Sequence, residues 1–157
     1  MAAEILLEAQ GLRKSYQERS GLRRPGGASE PSSASRRPAL VDVSLSLLRG
    51  EVLGVVGESG SGKTTLARCL TLLERPDAGH VLFDGLDLTA LSRRQLRRQR
   101  RRLQIVFQDP FASLNPRLTV RSALSEVLHV HKLASRSHSR MRVGELLDLV
   151  GLPARAA

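Results

Sequence analysis

Eight residues constrain this chain more than all the others: Gly57-Glu58-Ser59-Gly60-Ser61-Gly62-Lys63-Thr64, a full match to G-x-x-x-x-G-K-[ST]. They follow a short β-branched run, Val52-Leu53-Gly54-Val55-Val56, and precede a segment with apolar residues at Leu66, Ala67, Leu70 and Leu73. The first reads as a strand buried on both faces of a parallel sheet, the second as an amphipathic helix. Strand, glycine-rich turn and helix in that order make a phosphate cradle. Backbone N–H groups of the turn converge on phosphate oxygens. Gly57, Gly60 and Gly62 permit an approach that a Cβ would obstruct. The opening amides of the helix add the positive end of its dipole. Lys63 supplies a point charge for the β- and γ-phosphates, and the Thr64 hydroxyl a ligand for Mg²⁺. Thr65 is placed for one more phosphate hydrogen bond, and Glu58, Ser59 and Ser61 complete the loop. ATP with Mg²⁺ is the expected ligand.

The rest of the chain is ordinary globular material, 157 residues with 41% apolar and 25% charged side chains, enough for one domain. Aromatic residues are only 3%, so aliphatic side chains must supply the core. No apolar run approaches the ~18 residues needed to span a bilayer. The opening MAAEILLEAQGL lacks a basic n-region, so no secretory signal is expected and a cytoplasmic location follows. The lone Cys69 has no partner for an internal disulfide and reads as a small core residue. The net charge of +10 invites a nucleic-acid reading. Its arginines, however, fall mainly in residues 17–38 and 93–102 with no interleaved aromatics for base stacking, which weakens that reading.

Residues 4–9 (EILLEA) suggest a first strand. Residues 17–38, almost all Arg, Ser, Gly, Pro and Ala, cannot bury enough apolar surface to offset their ordering entropy and read as a flexible inserted loop. Residues 39–47 alternate apolar and polar side chains as a half-buried strand does. Residues 80–83 suggest another strand, which Asp84-Gly85 turns into 86–88. A basic helix is expected over 91–103, with Leu91 and Leu96 inward and the arginines in solvent. A second buried-type strand is expected over 103–107 (LQIVF), and helices over 119–133 and 142–150. His129, His131 and His138 fall in a helix and the loop after it, without a carboxylate or cysteine constellation, so no metal site is expected there.

Three features narrow the nucleotide site. The phosphate loop comes late, after two strand-like segments. Leu103-Gln104-Ile105-Val106-Phe107-Gln108-Asp109-Pro110 resembles the Q-loop of ABC ATPases. Phe111-Ala112-Ser113-Leu114-Asn115-Pro116-Arg117-Leu118-Thr119-Val120 resembles the segment that follows it in the dipeptide, oligopeptide and nickel importer ATPases. The resemblance covers nearly the whole chain apart from 17–38. It implies an α/β P-loop NTPase core with an N-terminal antiparallel β-subdomain, truncated within the helical subdomain. It also implies that Gln108 contacts Mg²⁺ or the attacking water, that Lys63 and Gln108 serve catalysis, and that Tyr16 stacks on adenine. The implied partners are transmembrane permease subunits and a second ATPase subunit in a head-to-tail pair, at the inner face of the plasma membrane.

The 157 residues contain no apolar run ending in Asp-Glu and no Gly-Gly-Gln, so the family's Walker B, signature and switch-histidine motifs are not matched. Phosphoryl transfer to water needs a group that orients the nucleophile. The expectation for this chain is therefore MgATP binding, weak at best, without turnover. Two other readings stay open: a non-catalytic nucleotide-binding remnant, and a basic nucleic-acid-associated P-loop protein.

Overall fold

The computed structural model describes residues 4–17, 36–109 and 115–153. They fall into two units, one ending at Arg100 and the other starting at Arg101. The first unit is built on strands β1 (Ile5–Gln17), β2 (Arg36–Leu48), β3 (Ala78–Phe83) and β4 (Leu86–Asp87), ordered β2-β1-β3-β4. Each adjacent pair is antiparallel, as the expected β-subdomain requires. The β1–β2 ladder slips at Gly11, where the pair Ala9↔Leu45 gives way to Leu12↔Val43. Gly11 takes a φ of 58° there, and its N–H donates to Ser44 Oγ at 2.9 Å instead of to the ladder. Asp84 and Gly85 both have positive φ, 54° and 75°, the two-residue turn that matches strand twist and lets Phe83 pair with Leu86.

Aliphatic side chains do supply the interior. Ala9, Leu12 and Leu40 of the long strands, Val81 of β3, Leu72 and Leu88 are buried, and Phe83 is the one aromatic among them. Helix α1 (Lys63–Leu70) contributes Leu66 and the free thiol of Cys69, and α2 (Arg93–Gln99) contributes Leu96. Helix α2 starts at a capping box: the Ser92 N–H donates to Gln95 Oε1 at 3.0 Å, and the Gln95 N–H donates back to Ser92 Oγ. It is shorter than the 91–103 expected, but the facing is as expected, with Leu96 buried and Arg93, Arg94, Arg97 and Arg98 exposed.

Two sequence expectations are corrected. Val52–Val56 and Leu103–Phe107 form no strand; Val52, Val56 and Val106 are 95%, 92% and 93% exposed. A strand exists only as part of a ladder, and among the described residues none pairs with either run. Every described strand pair is antiparallel, so the parallel sheet expected around the phosphate loop is not formed among these residues. The 17–38 boundary also moves. Gln17 pairs with Arg36 and Tyr16 with Arg37, so the ladder includes both ends of the expected loop, while 18–35 lie outside the described residues.

The second unit holds α3 (Val120–Val130) and α4 (Arg136–Leu149). Thr119 caps α3, accepting from the Ser122 N–H at 3.2 Å. Ser135 caps α4, which therefore starts well before residue 142 and places His138 in its first turn rather than in a loop. Leu128, Val143 and Leu147 are buried together, with Leu124, Ala134 and Leu146 packed against them. Among the described residues, no helix is long and apolar enough to cross a membrane.

Candidate functional site

The loop before α1 is shaped by its glycines and closed by its lysine. The Ser61 N–H donates to the Glu58 carbonyl at 3.2 Å, closing a four-residue turn. Gly60 occupies the third position of that turn with φ 80°, a conformation that glycine adopts without penalty. Gly62, at φ 95°, is the N-cap of α1, and its carbonyl accepts the first helical bond from Leu66 N–H at 2.8 Å. Lys63 is the first helical residue. Its Nζ turns back over the loop and donates to the carbonyls of Gly57 at 2.8 Å and Glu58 at 2.6 Å, and to Ser61 Oγ at 3.3 Å. One ammonium thus sits on three acceptors spread along the loop. Gly57, Glu58, Ser59, Gly60 and Ser61 are exposed, as is Thr64. Gly57 to Ser61 and Thr64 therefore face water at the start of the helix, while Gly62, Lys63 and Thr65 are half-buried.

Tyr16, near the end of β1, is brought to the same helix. Its hydroxyl donates to Glu74 Oε2 at 2.8 Å and lies 3.4 Å from Thr65 Oγ1. The Lys14 ammonium sits over the Tyr16 ring, 5.9 Å from its centroid. Partial burial pushes the Tyr16 phenol above its usual pKa, and the Glu74 carboxylate adds to the effect. Sequence reasoning did not find the residues that hold this tyrosine. Lys14 donates to the Arg75 carbonyl at 2.8 Å and Asp77 Oδ1 at 3.2 Å, and Glu74 Oε1 is 3.5 Å away. Asp77 Oδ2 accepts the Ser15 N–H at 2.8 Å. The complementary charges of Lys14 and of Glu74 and Asp77 were visible in the sequence, but about sixty positions separate them and no local pattern joins them.

This clamp has a pH signature. The Ser15 N–H, then the Lys14 ammonium, hold the Asp77 carboxyl below its ordinary value of 3.8. Burial alone would lower Lys14, but its contacts with Asp77 and Glu74 outweigh that and raise it. A depressed carboxylate stabilises the fold above its unfolded pKa, and that contribution is lost as pH falls through the folded one. The thermal midpoint is therefore expected to fall on acidification below about pH 4. Asp77→Asn should flatten that part of the profile, as a series of melts across pH would show.

Gln108 belongs to the second unit, where it is exposed in irregular chain and not at the end of a buried strand. Pro110, Phe111, Ala112, Ser113 and Leu114, which carried part of the sequence resemblance, lie outside the described residues. The stretch resumes with Asn115, whose side-chain oxygen accepts the Arg117 N–H at 3.0 Å and leads into the Thr119 cap.

The family model for ABC transporters matches residues 40–157. A putative peptide import ATP-binding protein of Brucella ovis is 44% identical over 153 residues, covering 98% of this chain and 44% of that protein. The oligopeptide transport ATP-binding protein AppF of Bacillus subtilis is 43% identical over 152 residues, covering 95% and 44%. Among solved structures, a dimeric ATP-binding cassette in a post-hydrolysis state with ADP and Pi superposes with a TM-score of 0.70 at 26% identity. That match covers 97% of this chain and 60% of the other. The chain thus spans less than half the length of these curated relatives. A glycine-rich loop closed by Lys63, the antiparallel β-subdomain beside it and these similarities agree: the chain belongs to the ABC transporter family.

Proposed function

We propose that the first unit binds MgATP, and that the whole protein is the ATP-binding subunit of an importer that couples ATP hydrolysis to solute uptake. Peptides are the favoured solute class, because the named relatives serve peptide and oligopeptide import; nickel is the alternative within the same group. The observation that carries the reading is the Lys63 ammonium held on the carbonyls of Gly57 and Glu58 at the start of α1. A triphosphate offers it stronger, charged acceptors than those carbonyls.

The residues present fit the ligand. The amides of Gly57 to Thr65 would hold phosphate oxygens, and the exposed Thr64 hydroxyl suits a hard cation such as Mg²⁺. Gln108, in the second unit, is proposed as a further Mg²⁺ ligand on the Q-loop resemblance alone. Tyr16, pinned beside Thr65, would stack on the base. Lys63 and Gln108 are the residues proposed to act in hydrolysis. Permease subunits at the inner face of the plasma membrane, and a second ATPase subunit, are the proposed partners. The 157 residues contain no Asp-Glu-terminated apolar strand, so this stretch by itself should bind nucleotide without turning it over.

Calorimetric titration of the purified chain with MgATP tests the reading. Saturable binding is expected, about tenfold weaker in Tyr16→Ala. Tyr16→Phe, which keeps the ring and loses only the hydroxyl's contacts with Glu74 and Thr65, should bind within about threefold of the parent. No saturation at millimolar ATP would end the proposal. Steady hydrolysis that disappears with Lys63→Ala would overturn the binding-only expectation.

A further inference from the structure

The densest charge in the first unit that nucleotide binding leaves unused lies on α2. Arg93, Arg94, Arg97 and Arg98 are exposed, while Leu96 between them is 4% exposed and turned into the core. At about 100° per residue, Arg93 and Arg97 stand one above the other, as do Arg94 and Arg98. The two pairs are neighbours around the helix, so the four guanidinium groups make one stripe on the side away from Leu96. Among the described residues, none of the four guanidinium groups is paired with an acceptor or a carboxylate. The local sequence supplies no counter-charge: no Asp or Glu occurs between Asp87 and Asp109, and Asp87 is engaged by Thr89 and His80.

Like charges four residues apart destabilise a helix, and α2 carries two such pairs within seven residues. The Ser92–Gln95 capping box and the burial of Leu96 hold the helix against that repulsion. An anionic partner would remove it. The stripe is only about 10 Å long, and no aromatic residue occurs between Phe83 and Phe107 to stack on a base. Acidic lipid headgroups ask for neither length nor stacking. They move freely in the plane of the bilayer and gather under a basic cluster. Their phosphate oxygens also match the planar guanidinium fork.

We propose that the exposed arginine stripe of α2 contacts the anionic headgroups of a bilayer, so that the chain meets the membrane directly and not only through protein partners. The choice of a lipid surface rests on the importer reading proposed above. The test sediments the full chain with phosphatidylcholine vesicles, with and without phosphatidylglycerol. Binding is expected only to the anionic vesicles, and it should fade in high salt. One arginine near such a surface contributes about fivefold, so the double variant Arg93→Gln, Arg97→Gln should bind about twentyfold more weakly. Its circular dichroism spectrum should not change, because glutamine is a good helix former. Arg68→Gln with Arg140→Gln removes two exposed arginines from elsewhere. An equal loss in that control overturns the proposal, because it marks diffuse attraction by a basic chain rather than a surface. So does an absence of binding to the anionic vesicles. A duplex DNA arm covers the rival partner: if the α2 variant loses duplex binding but keeps vesicle binding, the stripe belongs to nucleic acid and the proposal falls. MgATP titration of the parent chain keeps the two readings apart. Nucleotide binding without vesicle binding overturns the lipid contact and leaves the importer reading standing, while the reverse result supports the contact and ends that reading.

Discussion

Replacing Lys63 with alanine is expected to weaken MgATP binding about a hundredfold while leaving the chain folded. The ammonium now makes three hydrogen bonds to its own loop. On nucleotide binding these would be exchanged for bonds to charged phosphate oxygens, each worth roughly 1.5–3 kcal/mol. A hundredfold corresponds to about 2.7 kcal/mol, so one or two such bonds suffice. The fold should tolerate the change. The carbonyls of Gly57 and Glu58 belong to exposed residues and can bond to water instead, and alanine is the best helix former for the first position of α1. A change in stability within about 0.5 kcal/mol is expected, which a melt would detect. Lys63→Arg keeps the charge but presents a planar fork where a compact ammonium fitted, and should recover only part of the affinity. Unchanged affinity in Lys63→Ala would remove the phosphate loop from the site.

How far the sequence could be read depended on whether the information was local. The Gly57–Thr64 loop needed eight consecutive residues, and its turn, cap and lysine closure lie within them. The Asp84-Gly85 hairpin is equally local and lies where expected. The Ser92–Gln95 capping box is local too, and it starts α2 within the 91–103 expected for a basic helix. Helix α4 starts earlier than the 142–150 expected although its cap, Ser135, is equally local, because the apolar periodicity becomes strong only after Met141. The runs Val52–Val56 and Leu103–Phe107 failed for another reason. Their composition reports the environment that suits them, a sheet interior, while the ladder that would make them strands must come from residues far away in sequence. The Lys14–Glu74–Asp77 clamp around Tyr16 is the same problem in polar form. The aromatic residue was legible as a candidate, but its anchors became visible only once β1 and the chain after α1 were side by side.

An alanine at Gly62 is expected to destabilise the first unit by about 3 kcal/mol, lower its thermal midpoint by roughly 12–24 °C and remove nucleotide binding. Two separate penalties combine there. A φ of 95° lies in the region that L side chains avoid, which costs about 1–2 kcal/mol. A Cβ would also stand 2.4 Å from the Ala39 carbonyl oxygen and 3.4 Å from Leu40 Cδ2. That carbonyl cannot retreat cheaply, because it belongs to β2, and the next residue, Leu40, is buried and paired with Lys14 of β1. Relieving the overlap means moving either the strand or the loop, at about 1–3 kcal/mol. Gly60 provides the comparison. Its φ of 80° imposes a similar backbone penalty, but no atom lies within 4 Å of a Cβ built on it. Gly60→Ala should therefore lose only about 1–2 kcal/mol. Melting both variants separates the two causes. A much larger loss at Gly62 would show that β2 physically sets the position of the phosphate loop. Equal losses would mean that backbone conformation alone decides it, and the contact with Ala39 would have no role in holding the site.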